Sequence, residues 1–345
     1  MHSMHTTALT LGIGALGAVV AWALGLPAPF LTGPALLVTA ASLLGLQTHV
    51  PPPLRDISLV LIGIGMGTGV TPQVLDSARH WPLPLITLAG LLLIILFGGA
   101  GLVRWLSGQD TNTARLAATP GHLSFVLALS TGAKADLPFI AVVQSVRVLL
   151  LIVLVPAVAT MLTGADVPMP ASRGMPMPMP ALLGLSGLAA GLGWALKHRA
   201  IPAALLLAGM AVSAAAHGTG QVPGTLPLWV EIPAFAIMGT LIGTRFSGVT
   251  PALVARALGA SAVLSALACT VTFAAAWGVH TLGGLPMVDL LIAFAPGGLE
   301  TMAAISILLG ADPAFVALHH VFRLVFLAVL VPHCITADSP AAAPR

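Results

Sequence analysis

Apolar runs recur along the whole chain, separated by short polar or Pro/Gly-rich intervals. A bilayer core demands about 20 apolar residues per helix, so the runs predict a series of membrane crossings. In the first half they cover roughly Ala8–Leu24, Phe30–Leu46, Ile57–Val70, Pro82–Leu106, Ala114–Ser130 and Phe139–Leu162. In the second they cover Ala181–Leu196, Ile201–Ala216, Ile232–Phe246, Leu253–Val279, Leu285–Leu309 and Phe315–Ile335. Two segments carry helix breakers at depth: Pro120-Gly121-His122-Leu123-Ser124 and Pro296-Gly297-Gly298-Leu299-Glu300. Backbone groups freed in hydrocarbon are tolerated only where protein or a water-filled cavity satisfies them. Half-helix ends beside a charge are a common way to build a transporter substrate site, and Glu300 supplies such a charge.

The two breaks are 176 residues apart (296 − 120), and the register then holds without a gap. Ser130 matches Ser306, Asp136 matches Asp312, Phe139 matches Phe315, Arg147 matches Arg323, and Val153 to Pro156 matches Val329 to Pro332. Further upstream, Gly239 with Gly243 answers Gly63 with Gly67, and Trp194-Ala195-Leu196 answers Trp22-Ala23-Leu24. The chain therefore reads as an internal duplication: a first membrane repeat over 1–163, a linker over 164–180, a second repeat over 181–336 and a tail over 337–345. Alternating Met and Pro in the linker favours an extended spacer. Small residues such as Gly63 and Gly67 suit close helix packing.

The expected fold is all-α, a polytopic bundle of about 10–12 helices. Orientation is in tension with that count. Lys197, Arg199, Arg245 and Arg256 mark one set of loops, while Arg55, Arg104 and Arg115 mark the alternate set in the first half. This pattern favours inverted repeats, which need an odd number of crossings each, yet six segments are counted. Either one segment per half is re-entrant, the short third one or the Pro-Gly one, or the repeats are parallel.

Composition narrows the class further. Of 345 residues, 58% are hydrophobic and 7% charged, against about a quarter charged in a soluble domain. The net charge of +3 reflects scarce acids rather than a basic patch, so no nucleic-acid partner is implied. Cys269 and Cys334 lie in or beside apolar segments and are expected to be free thiols. Ala8 to Leu26 reads as a first transmembrane helix, because Met1 to Thr7 lacks the Lys or Arg of a secretory leader and the run leads directly into another.

The candidate chemistry is sparse. Arg147 and Arg323 sit mid-span, where an arginine costs at least about 2.5–3.5 kcal/mol. They either pin neighbouring helices by bonding backbone carbonyls or serve as anion-coordinating charges. Asp136, Asp312 and Glu300 are the acids expected to reach them. His319 and His320 share a helix face with Arg323, and the first half has Val143 and Gln144 there. Asp136 and Asp312 begin the last segment of each half, as helix caps or ion ligands. His122 is a candidate ligand or proton acceptor, and Ser124 stands where the second half has Glu300. No nucleophile elbow, Walker loop or Cys-x-x-Cys occurs, so no enzyme, metal or cofactor is expected.

At these paired motifs the chain resembles the AbrB family of duplicated bacterial membrane proteins, also labelled "putative ammonia monooxygenase" and "membrane regulator". The family pattern is close to Pro-Gly-Gly-Leu-x-Glu-Met in each half with a downstream Arg. The second copy matches as Pro296 to Met302, with the carboxylate one place early, and the first copy lacks the second Gly and the acid. The resemblance implies an inner-membrane location and a name tied to gene regulation. His319 and His320 offer no copper cluster for the monooxygenase label. The expected function is a secondary transporter of a small solute, anionic in one reading and with protons as a candidate coupling ion, whose site lies where Pro120, Gly121, Pro296, Gly297 and Gly298 meet near the midplane. The alternative is a membrane-embedded regulator without flux. Expected partners are the solute and the lipid bilayer, with homo-oligomers allowed.

Overall fold

The structure is a computed structural model that describes residues 2–69, 81–121, 123–133, 135–163, 175–199, 201 and 203–335. His122, residues 164–174 of the expected linker and the 337–345 tail lie outside the described residues, as does the side chain of Ser124. Each half supplies seven helices. The first has α1 (His2–Ala23), α2 (Pro29–Leu43), α3 (Pro52–Gly67), α4 (Pro82–Ser107), α5 (Thr111–Ala118), α6 (Leu123–Gly132) and α7 (Leu137–Thr163). The second has α8 (Met179–His198), α9 (Ala204–Gly218), α10 (Leu228–Gly243), α11 (Pro251–Gly283), α12 (Met287–Phe294), α13 (Leu299–Leu309) and α14 (Pro313–Cys334). The protein is an all-α membrane bundle, with six helices long and apolar enough to cross a membrane. Fourteen helices among the described residues exceed the 10–12 expected because each Pro-Gly segment splits in two.

The split segments turn back instead of passing through. In the first half the amide of Asp136, at the start of α7, donates to Thr113 Oγ1 in the first turn of α5 (3.0 Å), and Asn112 Nδ2 reaches the Ala133 carbonyl (3.4 Å). In the second half the amide of Asp312 donates to Asp289 Oδ1 (3.0 Å). The start of each first half-helix therefore lies beside the end of its second, which makes α5–α6 and α12–α13 re-entrant hairpins. Of the two suspects for re-entry, the Pro-Gly segment is the one. With the hairpin set aside, five helices remain in each half, an odd number, as inverted repeats require.

Helix α14 measures the consequence. Its 22 residues span about 33 Å, close to the roughly 30 Å of a hydrocarbon core. The mouth of the α12–α13 hairpin lies at its N-terminal end, and at the other end the Cys334 carbonyl accepts from Arg115 on α5. The hairpins enter from opposite ends of the bundle. The two sets of basic loops, contradictory under six crossings per half, now fall on one end. Asp56 meets Lys197 there (3.3 Å), Asp136 meets Arg256 (2.5 Å), and the amide of Thr48 donates to Ser247 (3.2 Å). The opposite end carries Glu231, Asp289 and Asp312.

Helices sort into two layers that cut across the repeats. The first three helices of each half form one layer, in which α3 packs on α9 and α2 on α10. The last four of each half form the other, in which α7 packs on α11, α4 on α11, and α14 on α12 and α13. The first layer depends on backbone contact. A Cβ on Gly63 would lie 2.2 Å from the Leu206 carbonyl oxygen, and one on the equivalent Gly239 would lie 2.2 Å from that of Leu31. Five of the six tryptophans (22, 105, 194, 229 and 277) stand exposed near helix ends, as interfacial anchors do. Helix α8 starts at Met179, so the last two residues of the expected linker are helical, and Met177 and Thr225 pair through their backbones (2.8 Å).

Overpacking at such contacts costs about 1–3 kcal/mol. Gly63→Val and Gly239→Val are each expected to lower the melting temperature of the purified protein, whereas Gly184→Val, with open space at its Cβ, leaves it unchanged.

Candidate functional site

A helix that stops inside an apolar core leaves its last carbonyls unbonded. In hydrocarbon each such group costs several kcal/mol. Helix α5 stops at Ala118, and Arg147 on α7 reaches its end. Nη1 donates to the Ala118 carbonyl (3.4 Å) and Nη2 to that of Thr119 (3.1 Å). Gln144, one turn earlier, donates through Nε2 to the carbonyls of Leu116 (3.1 Å) and Thr119 (2.9 Å), and its Oε1 accepts from Arg147 Nη2. A guanidinium here also meets the negative end of the helix dipole.

The second hairpin repeats the arrangement with one substitution. Arg323 Nη1 donates to the Ala295 carbonyl (2.6 Å), and Nη2 donates to those of Gly297 and, on the side-chain side, to His320 Nδ1. His320 Nε2 bonds the Ile292 carbonyl (3.0 Å), the counterpart of Leu116. Because a carbonyl can only accept, the proton sits on Nε2 and Nδ1 is the acceptor for Arg323. Neutral His320 thus stands in for Gln144, and the two halves have the same chemistry. Thr272 on α11 satisfies a further carbonyl, that of Phe294 (3.3 Å). The turns match as well: the amide of Gly121 bonds Thr119 O (3.0 Å), and that of Gly297 bonds Ala295 O (2.9 Å).

Each break rests against the other repeat. A Cβ on Gly121 would lie 4.0 Å from Leu327, one turn past Arg323, while Pro296 lines a groove with Leu151, one turn past Arg147. Arg147 and Arg323, both 1% exposed, are close enough to repel each other, and each keeps an Nε–H without a partner. Gly298 is the N-cap of α13, so the positive end of that helix starts next to the break that Arg323 holds. Two buried cations, each with an unpartnered Nε–H, lie near each other here.

The acids lie elsewhere. Asp136, Asp312 and Glu300 were the expected partners of the arginines, but among the described residues the arginines bond carbonyls instead. Asp136 caps α7 through the Phe139 amide (3.0 Å) and pairs with Arg256. Asp312 caps α14 through the amides of Ala314 (2.9 Å) and Phe315 (3.1 Å). Half-buried Glu300, in the first turn of α13, lies within electrostatic reach of Arg245, just past the end of α10 in the other layer. His319 is buried on Phe315, its ring 4.1 Å away, and donates through Nδ1 to the Phe315 carbonyl (2.7 Å), leaving Nε2 unpaired. Sequence reasoning missed Gln144, Arg245, Thr272 and Asp289. The alignment of Gln144 with His320 was the signal for the first.

At the acidic end a cleft of about 1040 Å³ opens between the layers, with Thr68 and Glu231 on one wall and Asp289 and Asp312 on the other. Asp289 lies outside the spanning helices. Burial, joined by the neighbouring Asp312 charge and opposed by the Asp312 amide, pushes its carboxyl up to about 6.

A family model described as "Transition state regulatory protein AbrB" matches residues 30–337. The chain belongs to the AbrB family. It is similar to "Putative regulator AbrB" of Escherichia coli (strain K12), 26% identical over 311 residues that cover 88% of this chain and 87% of the relative. It is also similar to "Uncharacterized protein YhjN" of Bacillus subtilis (strain 168), 27% identical over 299 residues, 79% and 75% of the two chains. This AbrB-family protein is thus of the duplicated membrane type that the paired motifs suggested.

Two outcomes follow from the geometry. His320→Gln should melt within about 1 kcal/mol of the parent, whereas His320→Leu, which leaves an Arg323 N–H and the Ile292 carbonyl unpaired, should cost about 1–3 kcal/mol in a thermal or denaturant melt. For Asp289 the folded pKa of about 6 exceeds an unfolded value of about 3.9. Its penalty is absent below about pH 4 and grows as pH rises to about 6. Asp289→Asn should therefore raise the melting temperature at pH 7 and leave it unchanged at pH 4, the Asn oxygen still accepting from Asp312.

Proposed function

We propose that this AbrB-family protein is a secondary transporter of a small anionic solute, held where the two hairpins meet. The observation that carries the reading is the pair of re-entrant hairpins, entering from opposite ends and stopping against each other's arginine helices. The spare Nε–H groups of Arg147 and Arg323, beside the N-terminal end of α13, are suited to an anion. The layered construction supports alternating access. The hairpin-bearing layer meets the other through few helices, and a cleft between them opens at the acidic end, so a shift of one layer against the other would change which end sees the site. By the positive-inside rule the basic end faces the cytoplasm of a bacterial inner membrane and the cleft faces outward.

Glu300 is the coupling candidate. It lies next to the second break and within electrostatic reach of Arg245 in the other layer, so its protonation would weaken an attraction between the layers. Two names favour a second reading, a membrane-embedded regulator: the family description and that of the E. coli relative. The short loops leave little surface for a regulatory partner, which weighs toward transport.

The test is a solute screen in proteoliposomes with an imposed pH gradient. The parent is expected to carry an anion, and Glu300→Gln to bind it but lose pH-driven accumulation. Unchanged pH dependence in that variant removes Glu300 from coupling, and no flux of any solute by the parent favours the regulator.

A further inference from the structure

A dissolved anion entering by the cleft would meet Glu231, Asp289 and Asp312, with no basic side chain among the described lining residues. Like-charge focusing in a cleft lowers the local anion concentration. A second opening leads to the same hairpin from the side. A groove of about 350 Å³ lies between α7, α11 and α12, walled by Leu151, Leu154, Val158 and Phe273, with Ala295 and Pro296 at the break end. Leu154, Val158 and Phe273 are 37–39% exposed on the outer surface of the bundle, so the groove opens toward lipid. Of its two threonines, Thr270 is on the exposed side and buried Thr272 is already bonded to the Phe294 carbonyl. At the inner end, the Ala295 carbonyl is held by Arg323, and Leu151 stands one turn from Arg147.

An apolar slot whose inner end is formed by Ala295, which Arg323 holds, and by Leu151, one turn from Arg147, complements an amphipathic anion. We propose that the substrate is an organic anion with a single apolar tail, a carboxylate or sulfonate, whose tail lies in this groove while its head sits at the Arg147 and Arg323 pair. This rests on the transporter reading above and adds the substrate class and a lateral route. The volume sets the size. It holds roughly a dozen water-sized volumes at about 30 Å³ each, enough for one tail of about eight to ten carbons and too little for the two chains of a phospholipid. Side entry also bypasses the acidic cleft, which is left to protons.

The test uses the full chain in lipid nanodiscs and octane-1-sulfonate, which stays ionised at all working pH values, with methanesulfonate and octyltrimethylammonium as comparisons. Equilibrium dialysis of the labelled compounds is expected to give saturable octanesulfonate binding, about tenfold or more tighter than methanesulfonate, as burial of a tail requires. Val158→Trp and, separately, Leu154→Trp fill the groove and should collapse that preference. Equal affinity for the two sulfonates overturns the tail while sparing the anion site. A preference that survives both tryptophans overturns the groove. Equal binding of octyltrimethylammonium makes the groove an acyl-chain slot blind to charge and overturns the proposal. Saturable binding of neither sulfonate sinks the anion reading itself.

Discussion

The structure depends on satisfying the carbonyls at the ends of α5 and α12. A hairpin that turns in an apolar core exposes the acceptors of its first half-helix where no water can serve them, and the cost exceeds what side-chain packing there could return. The remedy is a guanidinium with several donors in one plane, inserted from the next helix, with an amide or imidazole one turn away to take the remainder. An ammonium could not bridge two carbonyls in the same fixed geometry. Because donors outnumber acceptors in this arrangement, each arginine keeps an N–H in reserve, and the group that builds the hairpin is also the group available to a ligand.

Pairing Gln144 with His320 is informative about what selection of residue type has preserved. Both present a donor to a carbonyl and an acceptor to the arginine at similar reach, and both must be uncharged to do so. A protonated His320 would set a third cation beside Arg323 and Arg147. The difference that the sequence displays at this position is therefore a difference of ring and amide, while the hydrogen-bond pattern is conserved between the halves of one chain.

Much of this was legible in the sequence, for identifiable reasons. Proline, glycine and arginine are chemically conspicuous within apolar runs, so the breaks at Pro120 and Pro296, the duplication, and the importance of Arg147 and Arg323 could be read directly. Their partners could not. A carbonyl is common to every residue, so nothing in Ala118, Thr119, Ala295 or Gly297 advertises an acceptor, and the acids were the natural but mistaken guess. Whether the Pro-Gly segments crossed or turned back was also hidden, because it rests on Thr113 meeting Asp136 and Asp289 meeting Asp312 in space. The basic residues already contained the answer, and only the miscounted crossings made them disagree. Glu300 was flagged for its charge, yet its neighbour Arg245 is distant in sequence and lies on a helix of the other layer.

The exchange of helices in the first layer has a bearing on how the protein is made. Gly63 on α3 closes on Leu206 of α9, and Gly239 on α10 closes on Leu31 of α2, so these close contacts join residues that leave the ribosome far apart in time. When α3 has entered the membrane, its glycine face has no partner and stays against lipid until α9 arrives. The first half is therefore an unfinished object throughout synthesis. An ancestor consisting of one such half would have needed a second copy inserted upside down before either could close, and fusing the two into one chain guarantees that partner in the correct orientation.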